Sequence, residues 1–339
     1  MDIRHALETV AIAEAVAARE DVGDDDPQPL LETRASELDE TVTVLLEAGQ
    51  PTAALRLVGA LSRFCQERGL VDLGRELTER VLRAAGGEGT DRQRAAAWLT
   101  AGELAFRQGD QSAASTATES ALRAALRANE TSLQFRARWN LARIAFRDGD
   151  SGEIRRHAQQ MLEAAGDDPR RRYGAIHMLA WAEHTAGHVE RAVELFEQNV
   201  EIAREASHPL GMASELINLG AITIELGELD KAAGYLTRGL ELAVELDSGY
   251  LLPGALAEVG RLAVLEGHTE PGLRLIAAAE HHYEMAGLAP DPGDDAFVAQ
   301  RDAAVRSLGA DRAEAVLVSG REMPTKHAIA LAREELGGS

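Results

Sequence analysis

The sequence predicts an all-α solenoid built from antiparallel helix pairs, and three observations predict it. The composition is 45% hydrophobic but only 4% aromatic, and Ala and Leu, which carry the excess, lose little side-chain entropy in a helix. Long runs of Val, Ile and Thr bounded by turn residues are absent, which argues against a sheet. A glycine that can close a helix recurs with near-constant spacing at Gly69, Gly109, Gly149, Gly187, Gly227 and Gly267, and only the step from Gly149 to Gly187 is shorter than the rest.

Taken in order, the first element is a helix over about residues 3–19. Its role is that of an end cap or of a detached element. "DVGDDDPQP" (21–29) follows, an acidic linker with Gly and Pro breakers. Residues 1–29 are therefore set apart from a repeat region spanning 30–287. Two helices in 30–67 lead into the first repeat. Each turn glycine is then followed by a second amphipathic stretch, such as "HVERAVELFEQNVEIA" or "ELDKAAGYLTRGLELAVEL".

Glycine tolerates the left-handed conformation that ends a helix. Seven residues before each turn glycine stands a small residue: Ser62, Gly102, Ala142, Ala180, Gly220 and Gly260. Five residues after it stands another, usually small: Gly74, Ala114, Ile154, Ala192, Ala232 and Gly272. Small side chains there let the two helices of one hairpin approach closely. "APDPGDD" (289–295) breaks the pattern, and two or three helices in 288–339 are expected to cap the last repeat.

"NLGAITIELGELDKAAGYLTRGLEL" (218–242) and "MLAWAEHTAGHVERAVELFEQNVEI" (178–202) resemble the tetratricopeptide repeat (TPR), with helices longer than usual. The resemblance implies a right-handed superhelix whose first, or A, helices line one face. Two further stretches, 45–82 and 275–336, resemble the C-terminal TPR sensor region of STAND-type regulators. Those proteins join an NB-ARC-like ATPase and LuxR- or SARP-like parts to a TPR array. This chain contains neither their P-loop, G-x-x-x-x-G-K-[ST], nor an obvious DNA-binding module. The resemblance therefore implies a sensing or interaction part alone.

Lys and Arg number 35 against 56 Asp and Glu, a formal charge of −21. That excess repels nucleic acid and anionic membranes, so neither is an expected partner. No run of about 18 apolar residues is present to cross a membrane, and the first residues lack the unbroken apolar segment of a signal peptide. The expected location is cytoplasmic. Cys65 is the single cysteine, so no intrachain disulfide can form. H-E-x-x-H, G-x-S-x-G and cysteine-rich spacings are absent, and neither metal nor cofactor is expected. His281 and His282 read as a solvated face. His184 and His188 are split by the helix-ending Gly187.

The candidate binding residues follow from the TPR register, which places one stripe of each A helix on a groove. That stripe carries Phe106 and Arg107, then Arg136, Trp139, Asn140, Arg143, Phe146 and Arg147, then His177, Trp181 and His184, then Asn218. Aromatics and Arg dominate binding hot spots, and Arg forks onto carboxylates. Arg107, Arg136, Arg143 and Arg147 against Glu103 make a cationic patch in an acidic chain. It suits a peptide or protein segment, or a small anionic or aromatic ligand. Ordinary packing and helix-end electrostatics are the alternative explanation.

Glu183 stands in a column otherwise filled by Cys, Ala and Thr. A carboxylate there needs either a raised pKa or a partner such as Arg143 or an arginine of the second helix. The leading expectation is a non-enzymatic binding or sensor module. The alternative is an enzyme on a TPR scaffold that uses Glu183, His177 and His184 beside an arginine-lined anion site.

Overall fold

The structure, a computed structural model, describes residues 1–18, 28–285 and 295–337. Most of the expected acidic linker (21–29) and of the break at 289–295 lies outside them. The described residues form α-helices and one short 3-10 turn, with no strand. The chain divides into two compact units, Met1–Ala145 and Phe146–Ser339.

The first unit contains α1 (Ile3–Ala17), α2 (Gln28–Thr33), α3 (Leu38–Glu47), α4 (Pro51–Ala60), α5 (Ser62–Glu67), α6 (Val71–Ala85), α7 (Asp91–Arg107), α8 (Gln111–Arg127) and most of α9 (Thr131–Arg147). Helix α1 is a packed element. Ala6, Val10 and Ala13 are buried in one core with Leu45, Leu57 and Phe64. The A helix of the first repeat is broken at Leu61 into α4 and α5, with α6 as its partner; α7 and α8 form the second hairpin.

The second unit contains α10 (Ser151–Ala165), α11 (Pro169–Thr185), α12 (Val189–Glu205), α13 (Pro209–Glu225), α14 (Leu229–Glu245), α15 (Leu252–Leu265) and α16 (Thr269–Met285). It ends with α17 (Asp295–Leu308), α18 (Ala310–Arg321) and α19 (Thr325–Gly337).

The repeat period has a direct geometric origin. Helices α7, α8, α9, α11, α12, α13, α14 and α16 share one length, five turns less a residue, and short turns of equal length join them wherever two are consecutive. Two such helices with their two turns set the spacing of the turn glycines. The one shorter step, from Gly149 to Gly187, arises because α10 (Ser151–Ala165) ends two positions early.

All six turn glycines adopt positive φ, from 67° to 93°. In five of these turns the residue after the glycine donates its N–H to the carbonyl four residues before the glycine: Leu70 to Cys65, Asp110 to Ala105, His188 to Glu183, Glu228 to Thr223 and His268 to Ala263. This Schellman-type bond satisfies carbonyls that the helix end leaves open. Asp110 and Asp150 then cap the next helix through their carboxylates. The turns between repeats use Asn129, Ser207 and Asp247 at positive φ, a conformation that costs more without glycine.

Close approach within hairpins occurs at the expected small residues. A Cβ on Gly260 would come within 2.7 Å of the Gly272 carbonyl oxygen, and one on Gly272 within 2.6 Å of that of Gly260.

The C-terminal helices depart from a plain cap. Helices α17 and α18 form a further hairpin around Gly309, whose φ is +77°, so the turn glycine recurs once more after Gly267. Helix α18 is pinned where Gly320 meets the Arg274 carbonyl of α16. Helix α19 buries Ala328 and Ala332 in the core shared by α14, α15 and α16, and Arg333 pairs with Glu241 at 2.7 Å.

Candidate functional site

In the first unit, polar side chains of three A helices join in a ladder. Helix α7 carries Glu103 one residue after small Gly102, so its carboxylate emerges beside the neighbouring A helices. Arg136 of α9 donates through Nη2 to both Glu103 oxygens, at 2.9 and 3.0 Å. Ser62 of α5 donates its hydroxyl to Glu103 Oε2. Gln66, one turn further along, donates to Ser62 Oγ at 2.9 Å, and its own Oε1 accepts from Arg107 Nε at 2.8 Å. Arg143 lies over the Phe106 ring, 4.3 Å from its centroid, a cation–π arrangement that holds the guanidinium flat.

Glu103 thus pairs with Arg136, and two expectations change here. Phe106 is buried and works as the platform beneath Arg143, so it offers no surface to a ligand. Asn140 is also buried and donates to Thr118 Oγ1 at 2.8 Å, which makes it a packing residue. Trp139 is half-buried, as is Trp98, which packs with Leu99, Ala121 and Ala137.

In the second unit the corresponding helices α11 and α13 carry a different constellation. Glu215 is fully buried. It accepts from His177 Nδ1 at 2.6 Å, Asn199 Nδ2 at 3.0 Å and Asn218 Nδ2 at 3.4 Å. Trp181 donates its indole N–H to His177 Nε2 at 3.1 Å. That nitrogen is therefore the acceptor of the ring, and Nδ1 carries the proton given to Glu215. Burial first, and then the Glu215 carboxylate, push the Tyr173 phenol well above its ordinary pKa.

Trp181 is enclosed by Phe146 at 4.9 Å, Phe196 at 5.3 Å and His184 at 5.4 Å, centroid to centroid. His184 pairs with Glu225 at 2.9 Å. Arg147 is half-buried in the last turn of α9.

Glu183 faces elsewhere. Its carboxylate takes Arg155 of α10 at 3.0 Å and His188 at 2.8 Å. Burial alone raises its pKa, but the bonds from His188 and Arg155 outweigh it and the net shift is downward. The partner is thus a second-helix arginine, and the structure does not bring Glu183 to His177. Cys65 is buried, and desolvation pushes its thiol up to about 12. Among the described residues no group of three or more His, Cys, Asp or Glu is placed to hold a metal ion, and no helix is long and apolar enough to cross a membrane.

Sequence reasoning missed Glu215, yet a signal was present. Glu215 stands five residues before its small residue, in a column otherwise filled by Leu57, Ala97, Ala137, Ala175 and Ala255, all buried. It is the same kind of anomaly as Glu183. Ser62 and Gln66 carry no comparable signal.

No family model and no curated protein matches the chain. Solved structures do. A Rap protein complexed with competence and sporulation factor is 14% identical, with 99% of this chain and 97% of that one covered and a TM-score of 0.58. Aspartyl phosphate phosphatase F from Bacillus subtilis is 11% identical, with 95% and 93% covered and a TM-score of 0.61. A STAND protein with a TPR sensor from Pyrococcus horikoshii is 12% identical, with 89% of this chain and 52% of that one covered and a TM-score of 0.52. At such identities the likeness shows the fold: the chain is an all-α, TPR-type repeat protein.

Proposed function

We propose that the chain is a non-enzymatic binding module of a regulatory system, and that the A-helix face of its first unit takes a carboxylate-bearing peptide or protein segment. The observation that carries this reading is that Arg136 binds Glu103, Arg107 joins the same ladder through Gln66 and Ser62, and Arg143 lies over Phe106, in a chain of charge −21. Such a local reversal of sign selects anionic partners. The TPR-like neighbours, among them a Rap protein complexed with competence and sporulation factor and a STAND protein with a TPR sensor, fit a protein-binding or regulatory role.

The enzymatic alternative has less support. His177 has one ring nitrogen on Glu215 and the other on the Trp181 indole, and Glu183 is held by Arg155 and His188. A general base needs a nitrogen or oxygen within reach of the proton it takes.

The test is a pull-down from the native cell, followed by an array of acidic and neutral peptides, with wild type against Arg143→Glu. The expected result is a partner that the charge reversal loses. A partner set unchanged by Arg143→Glu would remove the first-unit face from the mechanism.

A further inference from the structure

The ladder on the first-unit A-helix face has arginines at both ends, and neither is used up. Arg136 spends one nitrogen, Nη2, on Glu103. Among the described residues its Nε and Nη1 donate to no protein group, and its side chain is 50% exposed. Arg107 spends only Nε, on Gln66, and its two Nη groups donate to no protein group. Between them stand Gln66, Ser62 and Glu103, each bonded to the next.

A chain of hydrogen bonds of this kind fixes rotamers, so the arginines lose little further freedom when a ligand arrives. Arg107 keeps its Nη1 and Nη2 pair, the forked end that suits a carboxylate, and Arg136 keeps Nε and Nη1 as single charged donors. Glu103 has two opposing effects. It holds Arg136 in place, and it places a like charge beside any incoming carboxylate.

We propose that Arg107 and Arg136 form a pre-organised, two-armed receptor for an acidic segment carrying at least two carboxylates, with Glu103 as the built-in competitor that sets its affinity. This deepens the reading of the same face as a binding surface and rests on it. Glu103 is a positioning and specificity residue, and the ladder residues Ser62 and Gln66 are positioning residues.

The consequence is a pair of substitutions with opposite signs. Glu103→Gln keeps a carboxamide oxygen for Arg136 and removes the competing charge. Gln66→Ala removes the orienting bond on Arg107 and changes no charge. The experiment uses the full chain and a fluorescein-labelled hexaglutamate peptide, read by anisotropy at physiological ionic strength, where the net charge of the chain is screened beyond about 8 Å.

Glu103→Gln is expected to tighten binding roughly three- to tenfold and Gln66→Ala to weaken it by a similar factor, with hexaglutamine bound by neither. A merely structural role for Glu103 moves affinity only downward. Equal or weaker binding by Glu103→Gln, an unchanged affinity in Gln66→Ala, or no binding of hexaglutamate by any form would each overturn the receptor. The pull-down with Arg143→Glu reads the wider binding face independently. Loss of a partner there beside a negative hexaglutamate result removes the two-armed receptor and keeps the face.

Discussion

The two units solve the same problem, joining neighbouring A helices through polar side chains, with opposite chemistry. In the first unit the link is a partly exposed ladder of Arg, Glu, Ser and Gln, in which water remains an alternative partner for every member except Ser62, which is buried. In the second, a fully buried carboxylate gathers donors from α11, α12 and α13. An exposed ion pair contributes about 0–1 kcal/mol. A buried carboxylate is tolerated only when its donors are in place, and removing it strands them. The first arrangement can therefore exchange partners, and the second can only hold. The binding face proposed above rests on the first arrangement, and the second is a structural clasp.

The largest expected effect tests the clasp. Glu215→Ala leaves the buried Asn199 donor and the half-buried His177 and Asn218 donors without their acceptor and should cost about 3 kcal/mol or more in urea unfolding. A loss below about 1 kcal/mol would erase the distinction between the units. Next comes packing. Gly260→Ala drives a methyl against the Gly272 carbonyl oxygen and the Ile276 backbone, and should cost about 1–3 kcal/mol. Gly102→Ala meets first the Thr118 hydroxyl, which can give way only by leaving buried Asn140, and then the Thr118 backbone, and should cost a similar amount. Thermal unfolding of both variants checks this, and an unchanged midpoint in either would show that its hairpin can part without loss.

Glu103→Ala should change stability by no more than about 1 kcal/mol, since its pair is partly exposed. A larger loss would make the ladder a clasp as well.

Acid provides a smaller and signed effect. The pKa of Glu183 is lowered in the folded chain by His188 and Arg155. Its contribution to stability is therefore present above the unfolded carboxylate pKa, about 4.3, and is lost as pH falls through the lower folded value. The stability gap between wild type and Glu183→Gln should shrink on acidification below that point, and a gap that widens would contradict the pairing. Least affected of all is the Cys65 thiol. Buried and pushed up to about 12, it should resist thiol reagents at neutral pH until the first unit unfolds, which rapid labelling of the native chain would disprove.

The architecture was legible because its determinants are local and repeat. A turn glycine needs only its own backbone conformation, and a small residue in each helix is enough to bring a hairpin together. The site was legible only in part. The register placed Arg107 of α7 and Arg136 and Arg143 of α9 on the A-helix face. It also put Phe106 and Asn140 there, which the structure buries, because a stripe read from helical spacing does not show how far the neighbouring helix closes over its edge. Glu215 escaped notice although its column was otherwise apolar, since partners 16 and 38 residues away do not show in a local pattern.

The sequence by itself determined the helical class, the repeat period and the left-handed glycine turns, since propensity, capping and small-residue spacing act within a few residues along the chain. Tertiary structure decided which charges are spent and which remain. Arg136 meets Glu103 across 33 residues, Arg107 meets Gln66 across 41, and Arg155 takes Glu183 across 28. Hydrogen bonds fall off within a fraction of an ångström, and only the packed helices set distances that finely.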